Sequence, residues 1–519
     1  MYASIKVFFQ KINKLLDGTA MYRTVTLGLG FLALYALALG FWHIIPYRFS
    51  EQLISLVVAL AVALITNYLA SRIKKVAVNM ESAVITALIV HFLIIPIQLS
   101  KVEDLWVIAT VVFIAIVSKF AFVWRKQHIV NPAAFGAVAL AFVYAVFPVP
   151  GYFESNWWIG QVEFFIPLLI AGGAVVFKVR KFIPVLTFLL VACLVFLFEE
   201  WRFSGEPLSR FSYFWLSGPS VFLAFFMLTE PFTMPPTKTL QSFYGATIGF
   251  ISQTTLFLPL GIKMTPELAL VLGNLAFYPF TLRQKLYLTL QSIHEVAKNT
   301  YEFVFIKPVG INFKAGQYLE WMLPHTGADN RGIRRYFTIA SSPLDNTMRI
   351  GVRFGEKVSS FKTALLAMKP GQIIIASQLG GDFILPKDSA KKMACVAGGI
   401  GITPFISHIS QMELSNISND NVLFYCNNTL SEAAYRDRLQ ASQMMIPLKV
   451  VNILAKENIA GHETGYLTMD IIKKHTPDFL ERSWYLSGPP GMVDSYAKLL
   501  RELGVPKREI KKDFFPGLA

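Results

Sequence analysis

The chain is short of charge, of cysteine and of acidic residues, and each shortage excludes something. Only 16% of its 519 residues are charged, against about 25% in ordinary soluble domains, so a large part of it must face lipid. Three cysteines, Cys193, Cys395 and Cys426, are widely spaced and odd in number, which argues against a disulfide framework and against a zinc site. No metal is expected. Basic residues outnumber acidic ones by 48 to 33, for a formal net charge of +15 and a pI near 9.5. No basic-aromatic recognition motif accompanies that excess, so nucleic acid is not an expected partner. A membrane protein keeps Lys and Arg in its cytoplasmic loops in any case. Internal repeats and low-complexity segments are also missing.

What remains is apolar: 54% of the residues are hydrophobic and 44 are Phe, with a mean hydropathy of +0.49. The apolar runs end near residue 282, beyond which charges become frequent and runs short. A bilayer core needs roughly 20 apolar residues per helix. On that rule ten spans are read, at 25–45, 52–71, 80–98, 104–123, 132–149, 160–177, 182–198, 212–229, 241–259 and 265–281. Ahead of them, residues 1–24 form a Lys-dotted amphipathic segment rather than a signal peptide. Lys and Arg cluster before the first span and after the second, fourth, sixth, eighth and tenth. The positive-inside rule then puts both termini in the cytoplasm of a multi-pass inner or plasma membrane protein, as an even span count requires.

The soluble half opens on period-two strands, Lys285–Leu290 and Tyr301–Phe305, and from Met393 onward apolar strands alternate with helical stretches. The expected fold class is thus a polytopic α-helical membrane domain (25–282) followed by an antiparallel β-barrel (285–386) and an α/β parallel-sheet domain (390–519). In the barrel, Arg335-Tyr336-Phe337-Thr338 puts a cation, a ring and a hydroxyl on one strand, with Arg335 and Phe337 on the same face. A flavin needs such a set: a guanidinium for phosphate, a ring to stack on and a donor near N5. Further on, Gly398-Gly399-Ile400-Gly401-Ile402-Thr403-Pro404 follows a strand and opens a helix, where glycines let the backbone approach a pyrophosphate. Tyr485-Leu486-Ser487-Gly488-Pro489 is a second strand ending in a Gly-Pro turn, and Asp513-Phe514-Phe515-Pro516-Gly517 closes the chain.

These stretches, in this order, resemble the ferredoxin–NADP reductase superfamily with its FAD-binding FR-type domain. The resemblance implies that Arg335, Phe337 and Thr338 hold the phosphate, ring and N5 of a noncovalent FAD. Ser359 and Ser360 would approach its pyrophosphate, and Phe515 would shield the flavin. Gly399, Gly401, Thr403 and Pro404 would receive the pyrophosphate of NADH or NADPH, with Ser487 and Gly488 beside the nicotinamide. Plant-type members carry Cys where Ser487 stands. At the adenosine end Asn428 replaces the Arg of some NADPH users, favouring NADH, although Arg436 and Arg438 are near in sequence for a 2′-phosphate.

Two polar, Pro-containing breaks interrupt the apolar half: one around Asn131-Pro132, the other around Thr229-Glu230-Pro231. Irregular backbone at membrane depth is tolerated where it lines a cavity; helix-starting Pro turns are the simpler alternative. The two segments resemble those of the paired B-type and D-type membrane components of, respectively, the sodium-pumping NADH:quinone oxidoreductase and the Rnf complex. That resemblance implies an electron-transfer domain with room for a second, noncovalent flavin. The Ser-Gly-Ala-Thr motif that carries covalent flavin in those families is missing, and Gly245-Ala246-Thr247 reads as helix packing. The expected activity is hydride transfer from NAD(P)H to FAD, then electron transfer into the membrane domain toward quinone, a redox protein or an extracytoplasmic acceptor. Two alternatives stay open: a reductase merely anchored or fused to a transporter-like domain and serving a soluble acceptor, and a haem-containing ferric-reductase type. The second is poorly supplied, since only His43 and His91 lie inside spans.

Overall fold

The computed structural model describes residues 19–74, 78–98, 105–124, 127–147, 155–231, 233–255, 264–280, 285–329, 331–355, 358–386, 388–417 and 419–514. The chain divides into two compact units, Met1–Gln284 and Lys285–Ala519.

The first unit is helical. Among the described residues, four helices are long and apolar enough to cross a membrane: Met21–Phe41, Phe49–Ile73, Val162–Val179 and Phe182–Ser204. Met80–Leu93, Leu105–Ala121 and Pro132–Val146 are apolar but shorter, so the expected count of ten is matched at full length by four. The shortening has local causes. The third run stops at Leu93, because Pro96 disfavours helix at the residue before it and cannot donate an N–H to the helix. The eighth run is broken at Gly218-Pro219: a short helix, Phe211–Leu216, is followed by Ser220–Phe222 and a wide turn at Leu223–Met227. There Leu228 N–H bonds to the Leu223 carbonyl at 2.8 Å, the five-residue spacing of a π-bulge, a feature frequent at functional sites.

Small residues let these helices approach closely. A Cβ on Gly245 would collide with the Pro184 carbonyl, and one on Gly249 would lie 2.6 Å from that of Phe188. This pair of glycines, four apart, thus seats Lys238–Gln253 against Phe182–Ser204 backbone to backbone, as small-xxx-small interfaces do in bilayers. The opposite face of Phe182–Ser204 presents Leu186, Leu190 and Leu194, each about 60% exposed, a continuous apolar stripe that water would penalise.

The second unit holds two six-stranded sheets. In the first, β1 (Leu286–Ala297), β2 (Thr300–Ile306), β3 (Tyr318–Met322), β4 (Arg334–Thr338), β5 (Thr347–Arg353) and β6 (Ile373–Gly380) pair in the order β4-β3-β6-β1-β2-β5, all antiparallel. The edge strands return to each other where Ala340 N–H donates to the Arg349 carbonyl at 2.7 Å, drawing the sheet toward a barrel. Its interior is filled by alternate residues such as Leu288, Phe303, Phe305, Trp321 and Ile350.

The other sheet is parallel throughout. Strands β7 (Met393–Gly398), β8 (Asn421–Asn427), β9 (Leu448–Leu454), β10 (Glu463–Thr464), β11 (Ser483–Gly488) and β12 (Ile510–Phe514) lie in the order β10-β9-β8-β7-β11-β12. All six residues of β7 and of β11 are buried, and separate apolar cores pad the two faces. Strand order reverses between β7 and β11, the position at which doubly wound sheets open a ligand crevice at the carboxyl ends of their strands.

Candidate functional site

Strand β4 pairs with β3 so that Phe337 lies opposite Leu319 and Arg335 opposite Trp321. Both Arg335 and Phe337 reach Phe361: the guanidinium lies 5.4 Å from its ring centroid, and the Phe337 ring sits 5.9 Å away. The face shared by Arg335 and Phe337 is therefore real, and Phe361 is the packing residue beneath it that the sequence did not single out.

Both terminal nitrogens of the guanidinium are engaged. Arg335 donates to the carbonyls of Arg331 and Gly332 at 2.9 Å and of Arg334 at 2.7 Å, and to Asp329 Oδ1 at 3.2 Å. Asp329 also accepts from Ser360 N–H at 3.1 Å, while its own N–H donates to Ser360 Oγ at 2.9 Å. Ser359 caps the 360–366 helix by accepting from Lys362 N–H. A carboxylate thus rests where Arg335 and the Ser359-Ser360 turn converge. Burial pushes the Asp329 carboxyl up, but the Arg331 N–H, the Arg335 charge and the Ser360 contacts outweigh it and hold it below the usual range. Lys362 completes the cationic cluster; burial, then Arg331, Arg335 and Arg353, bring its pKa down to about 8. The donor set and the excess positive charge fit a diphosphate.

Thr338, the last residue of β4, is 3% exposed and its Oγ1 has no hydrogen-bond partner. Ser487, near the end of β11, is fully buried, and its Oγ has none either. Burying a hydroxyl without a partner costs about 1–3 kcal/mol, so each of the two calls for a ligand or a water; other buried side chains, such as Ser71 and Thr26 in the helical unit, are unpartnered as well.

The glycine turn between β7 and the helix Thr403–Leu414 meets the β11 turn at van der Waals range. A Cβ on Gly401 would come within 2.5 Å of the Ser487 carbonyl, and one on Gly398 would collide with Met492 Sδ. Gly399, with φ +53°, faces elsewhere, and its Cβ would meet Arg353 Nη1 at 3.4 Å. Thr403 bonds back to the Ile400 carbonyl at 3.2 Å, and Pro404 lies in the first turn of the helix, where its missing N–H is harmless. Gly488 takes φ +152° beside Gly398. Arg438, near in sequence for a 2′-phosphate, is instead held by Glu413 and Ser410. Phe515 lies outside the described residues.

In the first unit the two Pro breaks come together. Asn131 caps the Pro132–Val146 helix by accepting from Ala134 N–H at 3.1 Å, and its Nδ2 donates to Glu230 Oε2 at 2.8 Å. His128 Nε2 meets Glu230 Oε1 at 2.9 Å. Asn131 N–H donates to Asn274 Oδ1 at 2.7 Å, and Asn274 Nδ2 to the Tyr244 hydroxyl at 2.6 Å. Thr229 bonds to the Phe225 carbonyl at 2.7 Å, and Pro231 follows the turn. Asn274 and Tyr244 were not read from the sequence; an asparagine inside an apolar run was their only signal. His91 is buried with its ring 5.2 Å from that of Trp158, whereas His43 is exposed in the turn after Met21–Phe41. Among the described residues, no group of three or more His, Cys, Asp or Glu is placed to hold a metal.

The family profile described as the oxidoreductase NAD-binding domain matches residues 395–498, which run from β7 into the 490–502 helix. Flavohemoprotein of Xylella fastidiosa is 26% identical over 208 residues, covering 39% of this chain and 51% of that protein. The reductase component of propane 2-monooxygenase from Rhodococcus jostii is 25% identical over 217 residues, covering 40% and 57%. The chain therefore spans about half the length of these curated relatives. Among solved structures, the FAD/NAD-binding domain of nitric oxide dioxygenase from Vibrio cholerae aligns with a TM-score of 0.41 at 18% identity, over 44% of this chain and 98% of that one. Residues 395–498 of the second unit thus match an oxidoreductase NAD-binding domain, and the unit is similar to the corresponding parts of these proteins.

Proposed function

We propose that the chain is a membrane-bound NAD(P)H-dependent flavin oxidoreductase that passes electrons from its reductase module into its helical unit. The observation that carries this reading is the pair of orphaned buried hydroxyls, Thr338 Oγ1 and Ser487 Oγ, at the carboxyl ends of two strands that belong to the two sheets of one module. FAD, when bound, accepts a hydride and releases electrons singly, which is chemistry the protein itself cannot supply.

The chain's own residues do the rest. Arg335 and the Ser359-Ser360 turn hold a diphosphate, and Phe337 backs a ring. Thr338 donates at the flavin edge. Gly399 would admit the nucleotide backbone, Gly401 lets the turn pack on β11, and Ser487 and Gly488 would set the nicotinamide against the flavin. Phe515 is assigned a shielding role. Holding the two rings in a fixed mutual orientation would be the main service of these residues, because hydride transfer is steeply sensitive to donor–acceptor geometry.

For the helical unit we extend the same reading to ten spans with both termini cytoplasmic, in a fold like the B-type and D-type membrane components of the sodium-pumping oxidoreductase and of Rnf. The outward leucine stripe and the cluster joining Asn131, Pro132, Thr229, Glu230 and Pro231 to Asn274 support it. A second noncovalent flavin, a quinone or a redox protein is the next acceptor. The test is purification of the full chain, with flavin counted per chain and NADH-driven reduction of a quinone analogue compared with that of an artificial acceptor. One flavin per chain with no quinone reduction would favour a reductase serving a soluble acceptor.

A further inference from the structure

The helix that opens on the β7 glycine turn is fixed to the barrel along one stripe, a joint that no part of the scheme above uses. Thr403, Ser407 and Gln411 stand four residues apart on Thr403–Leu414, so they share one helical face. Each meets the barrel. Thr403 packs on Gly351 of β5, where an added Cβ would lie 2.8 Å from its methyl group. Ser407 Oγ donates to the Ser341 carbonyl at 2.7 Å and accepts from Gly316 N–H at 3.2 Å. Gln411 Oε1 accepts from Ser342 Oγ at 2.8 Å. Ser341, Ser342 and Ser407 are all fully buried.

The middle residue joins the most. A serine hydroxyl has one proton to donate and lone pairs that accept, and Ser407 uses both on backbone groups from two separate barrel segments. One is the loop before β3, where Gly316 comes so close that a Cβ would lie 2.4 Å from His408 Nε2. The other is the turn after β4. Ser341 follows Thr338 by three residues, and its own Oγ accepts from Arg349 N–H at 3.2 Å. Ahead of the helix, the glycine turn is packed on β11, with Gly401 against the Ser487 carbonyl. The residues that carry the two orphaned hydroxyls, Thr338 and Ser487, are thus tied together through one turn of helix, from Thr403 to Ser407. Interiors packed at protein density transmit a displacement rather than absorb it.

We propose that Ser407 is a positioning residue for hydride transfer; this rests on the reductase reading above. It holds the turn behind Thr338 at a fixed distance from the β11 turn that carries Ser487, and so sets the gap between the flavin and nicotinamide sites. Ser407 acts through Ser341 and through its helix, not by touching either ring. Without its hydroxyl the Gly316 N–H and the Ser341 carbonyl each lose a partner, and the two sites are free to drift apart. A displacement of about 1 Å can cost roughly a hundredfold in rate.

The experiment uses the full-length chain in detergent, FAD-loaded for kinetics and flavin-free for hydrogen exchange. Ser407→Ala should slow flavin reduction at saturating NADH about tenfold, with flavin content unchanged and the half-saturating NADH concentration little moved. The long-wavelength charge-transfer absorbance of stacked nicotinamide and flavin should weaken with it. In the flavin-free protein the Gly316 amide should exchange faster than in wild type. Leu500→Ala hollows the apolar core on the opposite face of the parallel sheet and is the control for destabilisation alone. It should lower the thermal midpoint and leave rate and absorbance intact. Gln411→Met, at the half-buried end of the stripe, should slow reduction severalfold, and it decides the matter if Ser407→Ala does not fold. Stripe variants whose reduction rate and charge-transfer absorbance match those of Leu500→Ala would overturn the positioning role while leaving the reductase reading standing. Wild type that binds no FAD and oxidises neither nucleotide would overturn that reading and the positioning role with it.

Discussion

Asp329 lies with a carboxylate oxygen 3.2 Å from Arg335 Nη2 and another 3.1 Å from the Ser360 amide, so an internal anion occupies the meeting point of the two groups assigned to the FAD diphosphate. FAD bound as proposed would have to displace it. Asp329→Asn should therefore tighten FAD binding severalfold, whereas Arg335→Ala should weaken it by about ten- to a hundredfold, the equivalent of losing a charged hydrogen bond of roughly 1.5–3 kcal/mol. Fluorescence titration of deflavinated protein measures both. Equal weakening in the two variants would mean that Asp329 only positions Arg335.

Lys362 gives the cluster a pH dependence. Its pKa in the fold is about 8, below the ordinary 10.5, because burial and then Arg331, Arg335 and Arg353 disfavour its charge. The unfolded chain therefore binds more protons between these values, and the flavin-free protein should gain stability as pH rises from about 8 toward 10.5. A diphosphate favours the protonated amine, so FAD affinity should move the other way and fall over that range. Lys362→Met should flatten both profiles; profiles left unchanged would place the titration elsewhere.

Ser487→Ala removes the orphaned hydroxyl beside the nicotinamide position. If the hydroxyl only positions the ring, stopped-flow flavin reduction should slow by about ten- to a hundredfold, or 1.4–2.7 kcal/mol, with flavin content unchanged. Arg335→Ala should instead lose FAD first and regain part of its activity when FAD is added. A structural role for both residues would make the two variants alike.

Asn131 serves the helical unit twice, as the cap of Pro132–Val146 and as a donor to Glu230. Asn131→Ala should lower stability by about 0.5–2 kcal/mol for the cap alone, seen as an earlier thermal midpoint in detergent. It should also reduce the ratio of quinone-analogue to artificial-acceptor reduction. A variant that is only less stable, with that ratio intact, would make the cluster purely structural.

The reductase module was largely legible because its constraints are local. Alternation along β4 fixed the shared face of Arg335 and Phe337, and the glycines of the β7 turn marked where side chains cannot fit. Asp329 was not legible, since nothing in the sequence says that a loop aspartate folds onto Arg335. Nor was Ser407, whose meaning depends on a barrel turn 66 residues away in the chain. In the helical unit hydropathy located the runs but not their ends. Pro96 and Gly218-Pro219 set those, and the joining of Asn131 to Glu230 and Asn274 is a tertiary event between helices.

The central claim is tested most directly by mixing the purified, FAD-loaded full-length chain with NADH under anaerobic conditions and following the flavin absorbance. The account predicts one phase of rapid bleaching that Ser487→Ala slows, followed by reoxidation when a quinone analogue is added. Protein that stays colourless when supplied with FAD, or bound flavin that NADH and NADPH both leave oxidised, would contradict it.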